Sequence, residues 1–262
     1  MENHRPARRA RPPSPVSLTE TDLELLGFLA EHRFARVDHA AALLAVKPTT
    51  ARRRLDKLTE GGYAEGAQVF SGQPPLYLIT RAGLGAIGSR LPKPRLDLHT
   101  YEHDVGLAWL WIAARRGAFG PLSEALSERT LRSRDGRAID SEHHAEPLGV
   151  RLGGRGPGGR ERVHYPDLLL RTADGRRIAV ELELSTKVRT RLETILAGYG
   201  ADPRIDGVAY LVQSQSVARA VERAARRVGV SDLVHLQRVR SRPAPAAVAR
   251  SRALERASEA VR

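Results

Sequence analysis

Residues 164–187 decide the fold of the second half of the chain, and they read HYPDLLLRTADGRRIAVELELSTK. Apolar runs at 168–170 and 178–184 are typical of two strands, and the turn residues 173–175 lie between them. A three-residue hairpin loop favours glycine at its last, left-handed position, which is where Gly175 falls. The stretch therefore predicts a β-hairpin.

The same loop predicts the register of this hairpin, because one pair of facing residues determines all the others. The predicted pairs are Arg171 with Arg177, Leu169 with Ala179, and Asp167 with Glu181. Side chains alternate along a strand, so Glu181 and Glu183 share one face and their apolar neighbours share the other. Asp167, Glu181 and Glu183 are therefore expected to gather at one end of a hairpin whose opposite face is apolar.

Clustered carboxylates repel one another unless a cation or a basic neighbour neutralises them. Oxygen ligands suit Mg²⁺, which proteins hold through one or two carboxylates together with substrate phosphate. A metal ion held there can activate water and clamp the oxygens of a phosphodiester. The alternative is a solvated sheet face on which the acids pair with Arg171, Arg177 or Lys187.

The composition limits the class of protein. The 262 residues are 41% hydrophobic, enough for a sizeable core, and no apolar run approaches the roughly 20 residues that span a bilayer. The N-terminal residues lack the apolar segment of a secretory signal. Cysteine is absent, which excludes disulfides and thiolate metal sites. These features predict a cytoplasmic protein with no membrane partner.

The charge of the chain points to nucleic acid. The net charge is +13 and the pI is near 10.9, values typical of proteins that bind double-stranded DNA. Residues 1–16 combine four arginines with four prolines and predict a disordered basic arm. Residues 241–262 predict a basic tail rich in alanine and arginine. The alternative is an arginine-rich composition that serves no binding function.

Residues 17–90 predict a small DNA-binding domain. Helices are expected at 17–32, 37–46, 49–60 and 81–89, with strands at 63–70 and 76–79 between the last two helices. Ser17 or Thr19, Thr49 or Thr50, and Thr80 are expected as helix caps. This order, with the pattern GGYAEG and then PPLYLITRAGLGAI, resembles a winged helix-turn-helix domain.

In such a domain the third helix enters the major groove of DNA. Its buried face is predicted to contain Ala51, Leu55 and Leu58, which are spaced by four and three residues. The expected base-reading residues are Thr49, Thr50, Arg53 and Lys57. Arg52 and Arg54 are expected to reach phosphates. The alternative is a winged helix used for protein contacts, with its arginines solvated.

Residues 91–98 predict a linker, and residues 99–240 an α/β domain with at least one parallel crossover. The predicted elements are a helix at 99–116, a strand at 125–132 that carries Glu128, the central hairpin, a helix that carries Lys187 in its first turn, a strand at 207–213, a helix at 216–228 and a strand at 233–239. The glycine-rich residues 151–162 are expected to form a flexible loop. His103 is expected to have a packing or capping role. His164 is expected on the surface, and the alternative is a pH-sensitive or metal-binding role.

The order of these elements, with the motifs YPDLLL and VELELSTK, resembles the PD-(D/E)xK nuclease fold. Joined to the N-terminal winged helix, it resembles the replication-relaxation family of plasmids and integrative elements. The resemblance implies that Asp167 and Glu181 are metal ligands and that Glu128 is an accessory acid. The lysine of the motif is replaced by Glu183, so Lys187 would have to supply the positive charge.

The sequence thus predicts a mixed-sheet PD-(D/E)xK nuclease-like domain after an α+β winged helix. The expected function is that of a DNA-binding protein of a mobile element, acting in replication or transfer control or in transcription. Its nuclease-like domain is expected to bind DNA phosphates, and the sequence leaves open whether this domain cleaves DNA or has lost cleavage. One alternative is an active Mg²⁺-dependent endonuclease or nickase. Another is a regulator whose α/β domain only forms a homodimer or senses a partner.

Overall fold

The computed structural model describes residues 17–139 and 147–239 of the chain. The predicted basic arm at residues 1–16 and the predicted tail at 241–262 lie outside these ranges. No helix within the two ranges is both long enough and apolar enough to cross a lipid bilayer.

Three helices, two short strands and a fourth helix make up the N-terminal part, in the order that the sequence predicts. They are α1 (Glu20–Glu31), α2 (Val37–Leu43), α3 (Pro48–Glu60), β1 (Ala64–Ala67), β2 (Leu76–Ile79) and α4 (Arg81–Ala86). Local hydrogen bonds set two of the helix starts. Thr19 accepts from the backbone N–H of Asp22 at α1, and Thr80 accepts from that of Gly83 at α4.

A tight turn at residues 44–47 joins α2 to α3. Ala45 in this turn has a φ of 53°, a left-handed conformation that is costly for any residue with a Cβ atom. Pro48 then begins α3, at a position where a backbone N–H has no partner within the helix. Thr49 or Thr50 was predicted to cap this helix, and neither residue does so. The buried face of α3 consists of Ala51, Leu55 and Leu58, as its periodicity predicts.

A mixed five-stranded sheet forms the centre of the remaining chain. Its strands are β3 (Leu122–Ser127), β6 (Leu168–Thr172), β7 (Arg177–Glu183), β8 (Gly207–Val212) and β9 (Val234–Arg238), in that spatial order. The helices are α5 (Tyr101–Arg115), α6 (Glu128–Ile139), α7 (Arg189–Ala201) and α8 (Gln215–Arg227). β3, β6 and β7 run antiparallel, whereas β7, β8 and β9 are parallel and are connected through α7 and α8. The predicted α/β class is confirmed.

The hairpin of β6 and β7 has the register that the sequence predicts. Leu169 faces Ala179, and Arg171 faces Arg177. Gly175 ends the loop with a φ of 90°, so the left-handed position is occupied by the one residue type that adopts it without strain. Alternate strand residues then pack on opposite faces of the sheet. Leu168, Leu170, Val180 and Leu182 contact the core on the α5 side, while Leu169 and Ala179 contact the core beneath α7 and α8.

One apolar core extends from the N-terminal helices into the sheet. The ring centroids of Phe28 in α1 and Trp111 in α5 lie 5.5 Å apart, and both side chains are buried. Polar contacts join the same regions, since the hydroxyl of Thr130 donates to the carboxylate of Glu31 at 2.7 Å. Residues 91–98, predicted as a linker, therefore connect two regions that share an interior.

Two of the predicted elements are of the wrong type. The strand expected at residues 125–132 ends at Ser127, because the Ser127 hydroxyl accepts from the Thr130 N–H and starts α6. Glu128 is thus the first residue of a helix. Residues 151–162, expected to form a flexible loop, belong largely to a two-stranded hairpin of β4 (Val150–Arg155) and β5 (Glu161–His164).

Candidate functional site

Glu181 and Glu183 lie near the end of β7, on the face of the sheet that α7 covers. Because strand residues alternate, both point to the same side as Ala179, which packs beneath α7 and α8. Glu181 is 2% exposed and Glu183 is 5% exposed. Buried carboxylates are costly unless they are paired, so the partners of these two acids determine what the site can do.

Glu181 is held by two residues from other elements. The Nε2 atom of His164 in β5 lies 2.6 Å from one carboxylate oxygen, and the hydroxyl of Tyr199 in α7 donates to the same oxygen. Burial by itself would raise the pKa of Glu181, but the hydrogen bond and charge of His164, together with Lys187, hold the pKa below its ordinary value. Glu181 is therefore ionised at neutral pH.

Lys187 supplies the cation for this pair of glutamates. Its Nζ atom lies 2.6 Å from a carboxylate oxygen of Glu183 and 3.8 Å from one of Glu181. Burial raises the pKa of Glu183 despite this contact, while the two glutamates raise the pKa of Lys187 against the effect of its own burial. The lysine remains protonated between them.

The sequence suggested that Lys187 lies in the first turn of a helix, but in the structure it lies outside any helix. Residues 184–188 form an irregular loop after β7, and α7 begins at Arg189 without a side-chain cap. Ser185 and Thr186 are therefore not its caps. From this loop Lys187 turns back toward the end of β7, where its Nζ atom meets both glutamates.

Asp167 lies at the same end of the sheet, directly before β6. One of its carboxylate oxygens accepts from the backbone N–H of Leu182 at 2.8 Å and lies 3.3 Å from Nε2 of His103 in α5. Burial tends to lower the pKa of His103, but the hydrogen bond and charge of Asp167 leave it raised. Asp167 thus joins the hairpin to α5 and favours the protonated form of His103.

The predicted site residues Asp167, Glu181, Glu183 and Lys187 are thus brought together, whereas Glu128 is directed elsewhere. The backbone N–H of Glu128 donates to the carbonyl of Asp167 at 3.1 Å. Its carboxylate, however, pairs with Arg132 one helical turn along α6, at 2.7 Å. The backbone of Glu128 therefore lies near the cluster, but its carboxylate points away from it, along α6.

The carboxylates of this cluster already have partners within the protein, which a magnesium ion would have to displace or share. One oxygen of Glu181 is shared by His164 and Tyr199, and one of Asp167 by a backbone N–H and His103. Lys187 lies between the two glutamates. Across residues 17–139 and 147–239, no group of three or more ligand-type side chains is placed to hold a metal ion. The positive charge that the carboxylates need comes from a lysine.

Tyr199 is a functional candidate that the sequence does not predict, and His103 was expected only to pack or to cap a helix. His164 was expected on the surface, with a pH-sensitive or metal-binding role as the alternative, but its side chain is largely buried against Glu181. His103 follows His99 by one helical turn and precedes Asp104, a pattern that gives a weak signal of a polar site. His164 lies three residues before Asp167 in sequence, so a position near the acids could have been predicted for it. Tyr199 gives no local signal, because its contact with Glu181 depends on how α7 packs on the sheet.

The outer surface of α3 is the second candidate site. Thr49, Thr50, Arg52 and Arg53 are exposed on its first turns. Arg52 makes a long ion pair with Asp56 at 3.7 Å, whose exposure makes it weak. Within the described part of the chain Arg53 has no acidic partner. These residues are available to an external ligand.

Arg54 and Lys57 are engaged within the protein. Arg54 lies 3.1 Å and Lys57 lies 3.3 Å from the carboxylate of Asp22, which is fully buried at the start of α1. Burial would raise the pKa of Asp22, but hydrogen bonds from Thr19 and the pairing with Lys57 lower it overall. In the structure, Arg54 and Lys57 therefore join α3 to α1, and their expected roles at phosphates and base edges would require these contacts to open.

No protein-family model matches the sequence, and no curated protein matches it either.

Proposed function

We propose that the protein binds double-stranded DNA and that α3 is the helix that reads the duplex. The exposed N-terminal half of α3, with Thr49, Thr50, Arg52 and Arg53, carries this proposal. In helix-turn-helix proteins the same part of the recognition helix contacts base edges. The tight turn before α3 and the β1–β2 hairpin after it support a winged helix-turn-helix interpretation.

The wider role that we propose is in a plasmid or integrative element, in replication or transfer control or in transcription. It follows from the resemblance to the replication-relaxation family, whose order of a winged helix and a PD-(D/E)xK-like domain suits the order of elements described above. The second domain would then have kept the nuclease-like arrangement of acids without cleavage. The supporting observation is that Lys187 pairs with Glu183 and lies 3.8 Å from Glu181, so the charge of these acids is compensated without a metal ion.

DNA reading by α3 is tested on the full chain with duplexes selected from a random pool. Arg53→Ala should weaken binding of a selected duplex by about 5- to 150-fold, because a bidentate arginine–guanine contact contributes about 1–3 kcal/mol of discrimination. Arg8→Ala, in the N-terminal arm, should have a much smaller effect. Equal losses in the two variants, or a selection without enrichment, would show that α3 is not the reader.

The second candidate function is a metal-dependent endonuclease or nickase. The convergence of Asp167, Glu181, Glu183 and Lys187 at one end of the sheet favours it. Purified protein would then nick supercoiled plasmid with Mg²⁺, and EDTA or Asp167→Ala would abolish nicking. We expect intact plasmid with both Mg²⁺ and Mn²⁺. Nicking by the wild type that Asp167→Ala removes would establish the enzyme and overturn the non-cleaving proposal.

A further inference from the structure

The β4–β5 hairpin, residues 150–164, forms a two-stranded ribbon outside the central sheet. Its pairs are Val150 with His164, Arg151 with Val163, and Arg155 with Glu161. Paired residues share a face and neighbours along a strand alternate, so Arg162 and His164 of β5 lie on one face. Arg160 lies directly before β5 with an extended backbone, so it continues this alternation on the same face. Arg151, Arg155 and Glu161 belong to the other.

The base of the ribbon is fixed to the rest of the domain. An isolated two-stranded hairpin is marginally stable, so this attachment matters. Val150 is buried against α7, and a Cβ atom at Gly198 of α7 would lie 3.2 Å from its side chain and 3.0 Å from the carbonyl oxygen of Arg151. On the α6 side, the buried carboxylate of Asp135 accepts from the backbone N–H groups of Leu148 and Gly149 at 2.8 and 3.1 Å.

The two faces of the ribbon differ in charge. On one face Arg151 pairs with Glu161 at 3.3 Å, so part of the positive charge is neutralised. On the other face Arg160 and Arg162 are exposed, and neither has an acidic partner among the residues that the structure describes. Alternate residues of an extended backbone are about 6.6 Å apart, and the backbone is extended from Arg160 into β5. The two arginines therefore form a short row of unpaired positive charge.

This row leads to the acidic cluster. His164 continues the face of Arg160 and Arg162 at the base of the ribbon, and its ring contacts Glu181 at 2.6 Å. Arginine side chains on a strand are well suited to phosphate oxygens, which they bind without regard to base sequence. A β-ribbon is also one of the elements that nucleic-acid-binding proteins present to DNA.

We propose that the Arg160–Arg162 face of the ribbon is a second DNA contact, which binds the phosphate backbone and leads it toward the cluster of Glu181, Glu183 and Lys187. This inference rests on the proposed DNA binding, and it assigns a part of that binding to residues outside α3. Each arginine that neutralises a phosphate releases condensed counterions, so the contact appears in the salt dependence of affinity. Sequence preference would stay with α3.

The experiment compares full-length variants by fluorescence polarisation on one duplex, between about 50 and 200 mM salt. Arg160→Ala/Arg162→Ala should reduce the magnitude of the slope of log affinity against log salt by about 1.8, because each of the two lost phosphate contacts contributes about 0.9. Arg160→Lys/Arg162→Lys keeps both charges and should keep the slope. The matched control is Arg219→Ala/Arg223→Ala, which removes two exposed arginines of α8.

Each outcome decides the matter. A slope that falls in the alanine ribbon variant alone supports the second contact. An unchanged slope in that variant, or an equal loss in the α8 control, overturns the ribbon contact while DNA binding by α3 stands. If the wild type binds no duplex at any salt concentration, the proposed function itself fails. A circular dichroism spectrum of each variant shows that its fold is intact.

Discussion

The Nζ atom of Lys187 lies 2.6 Å from the carboxylate of Glu183, although Lys187 belongs to an irregular loop and Glu183 to a buried strand. The lysine thereby compensates a carboxylate that has little access to solvent. In a site built for catalysis with magnesium, the metal would do this instead. The contact therefore bears on both proposed functions, and it can be tested directly.

Lys187→Ala should destabilise the protein and create an affinity for divalent cations. We expect a loss of about 2 kcal/mol in metal-free buffer, less than a fully buried pair would cost, because the lysine side chain is partly exposed. Mn²⁺ should restore part of the loss, since a ligand that binds only the folded state stabilises it. Thermal melts with Mn²⁺ and with EDTA measure both effects.

The control for this experiment is Glu183→Gln/Lys187→Ala, which also removes one carboxylate. Its stabilisation by Mn²⁺ should be smaller than that of the single variant. If the wild type gains as much from Mn²⁺ as Lys187→Ala does, the lysine does not take the place of a metal ion.

Arg53 and Arg54 are neighbours in sequence with separate roles. Arg54→Ala removes a partner of the buried Asp22 and should cost about 1 kcal/mol of stability, a value reduced by the exposure of the arginine. Arg53→Ala removes a side chain without an acidic partner in the described part of the chain, and its melting temperature should match the wild type. Urea unfolding of both variants checks this. A larger loss in Arg53→Ala would contradict the assignment.

Ala45→Gly should stabilise the turn between α2 and α3. The left-handed conformation costs an alanine about 1–2 kcal/mol, which glycine would relieve. The greater freedom of glycine in the unfolded chain lowers the stability by about 0.4–1 kcal/mol and so offsets part of this gain. The net gain should be about 0.5–1 kcal/mol in chemical denaturation. Ala42→Gly, in the helical part of α2, should instead lose about 1 kcal/mol. Equal effects of the two substitutions would show that the turn is unstrained.

Acid should weaken the contact of α1 with α5, because His32 is buried beside Phe28 and Trp111. Burial, followed by the charges of His39 and Arg129, lowers the pKa of His32 to about 3. In the unfolded chain the ring takes up a proton below about pH 6.5. The unfolded state therefore binds more protons between these two values, and stability falls as the pH falls from 6.5 toward 3.

The expected contribution of His32 is about 2 kcal/mol lost between pH 7 and pH 5. His32→Leu should lose correspondingly less stability over that interval, measured as the difference in unfolding free energy between the two pH values. His99→Leu, at an exposed position, serves as control and should behave as the wild type. The prediction is wrong if both variants show the pH dependence of the wild type.

Much of the fold could be predicted because the signals that determine it are local. The register of β6 and β7 follows from the alternation of the strands and from Gly175, which alone suits the left-handed end of the loop. The buried face of α3 follows from the spacing of Ala51, Leu55 and Leu58. The side chains that gather at Glu181 are partly foreseeable for the same reason, since strand register places Asp167 and Glu183 near it.

Other features depend on contacts that are distant in sequence. The ribbon at residues 150–164 is rich in glycine and poor in strand-forming residues, so it resembles a loop until Val150 is seen buried against α7. The engagement of Arg54 and Lys57 depends on Asp22, which lies in another helix. Helical periodicity shows which side of α3 faces outward, but it does not show which charges on that side already have a partner.

The core that Phe28 and Trp111 share predicts how the chain behaves when it is cut. A protease that cleaves within residues 91–98 would produce two fragments, each with apolar side chains that the other covers. The cleaved protein should then elute from a size-exclusion column as one species, and its two fragments should separate only in denaturant. Fragments produced separately would expose these side chains and should aggregate unless they are mixed, so each half acts as the folding partner of the other.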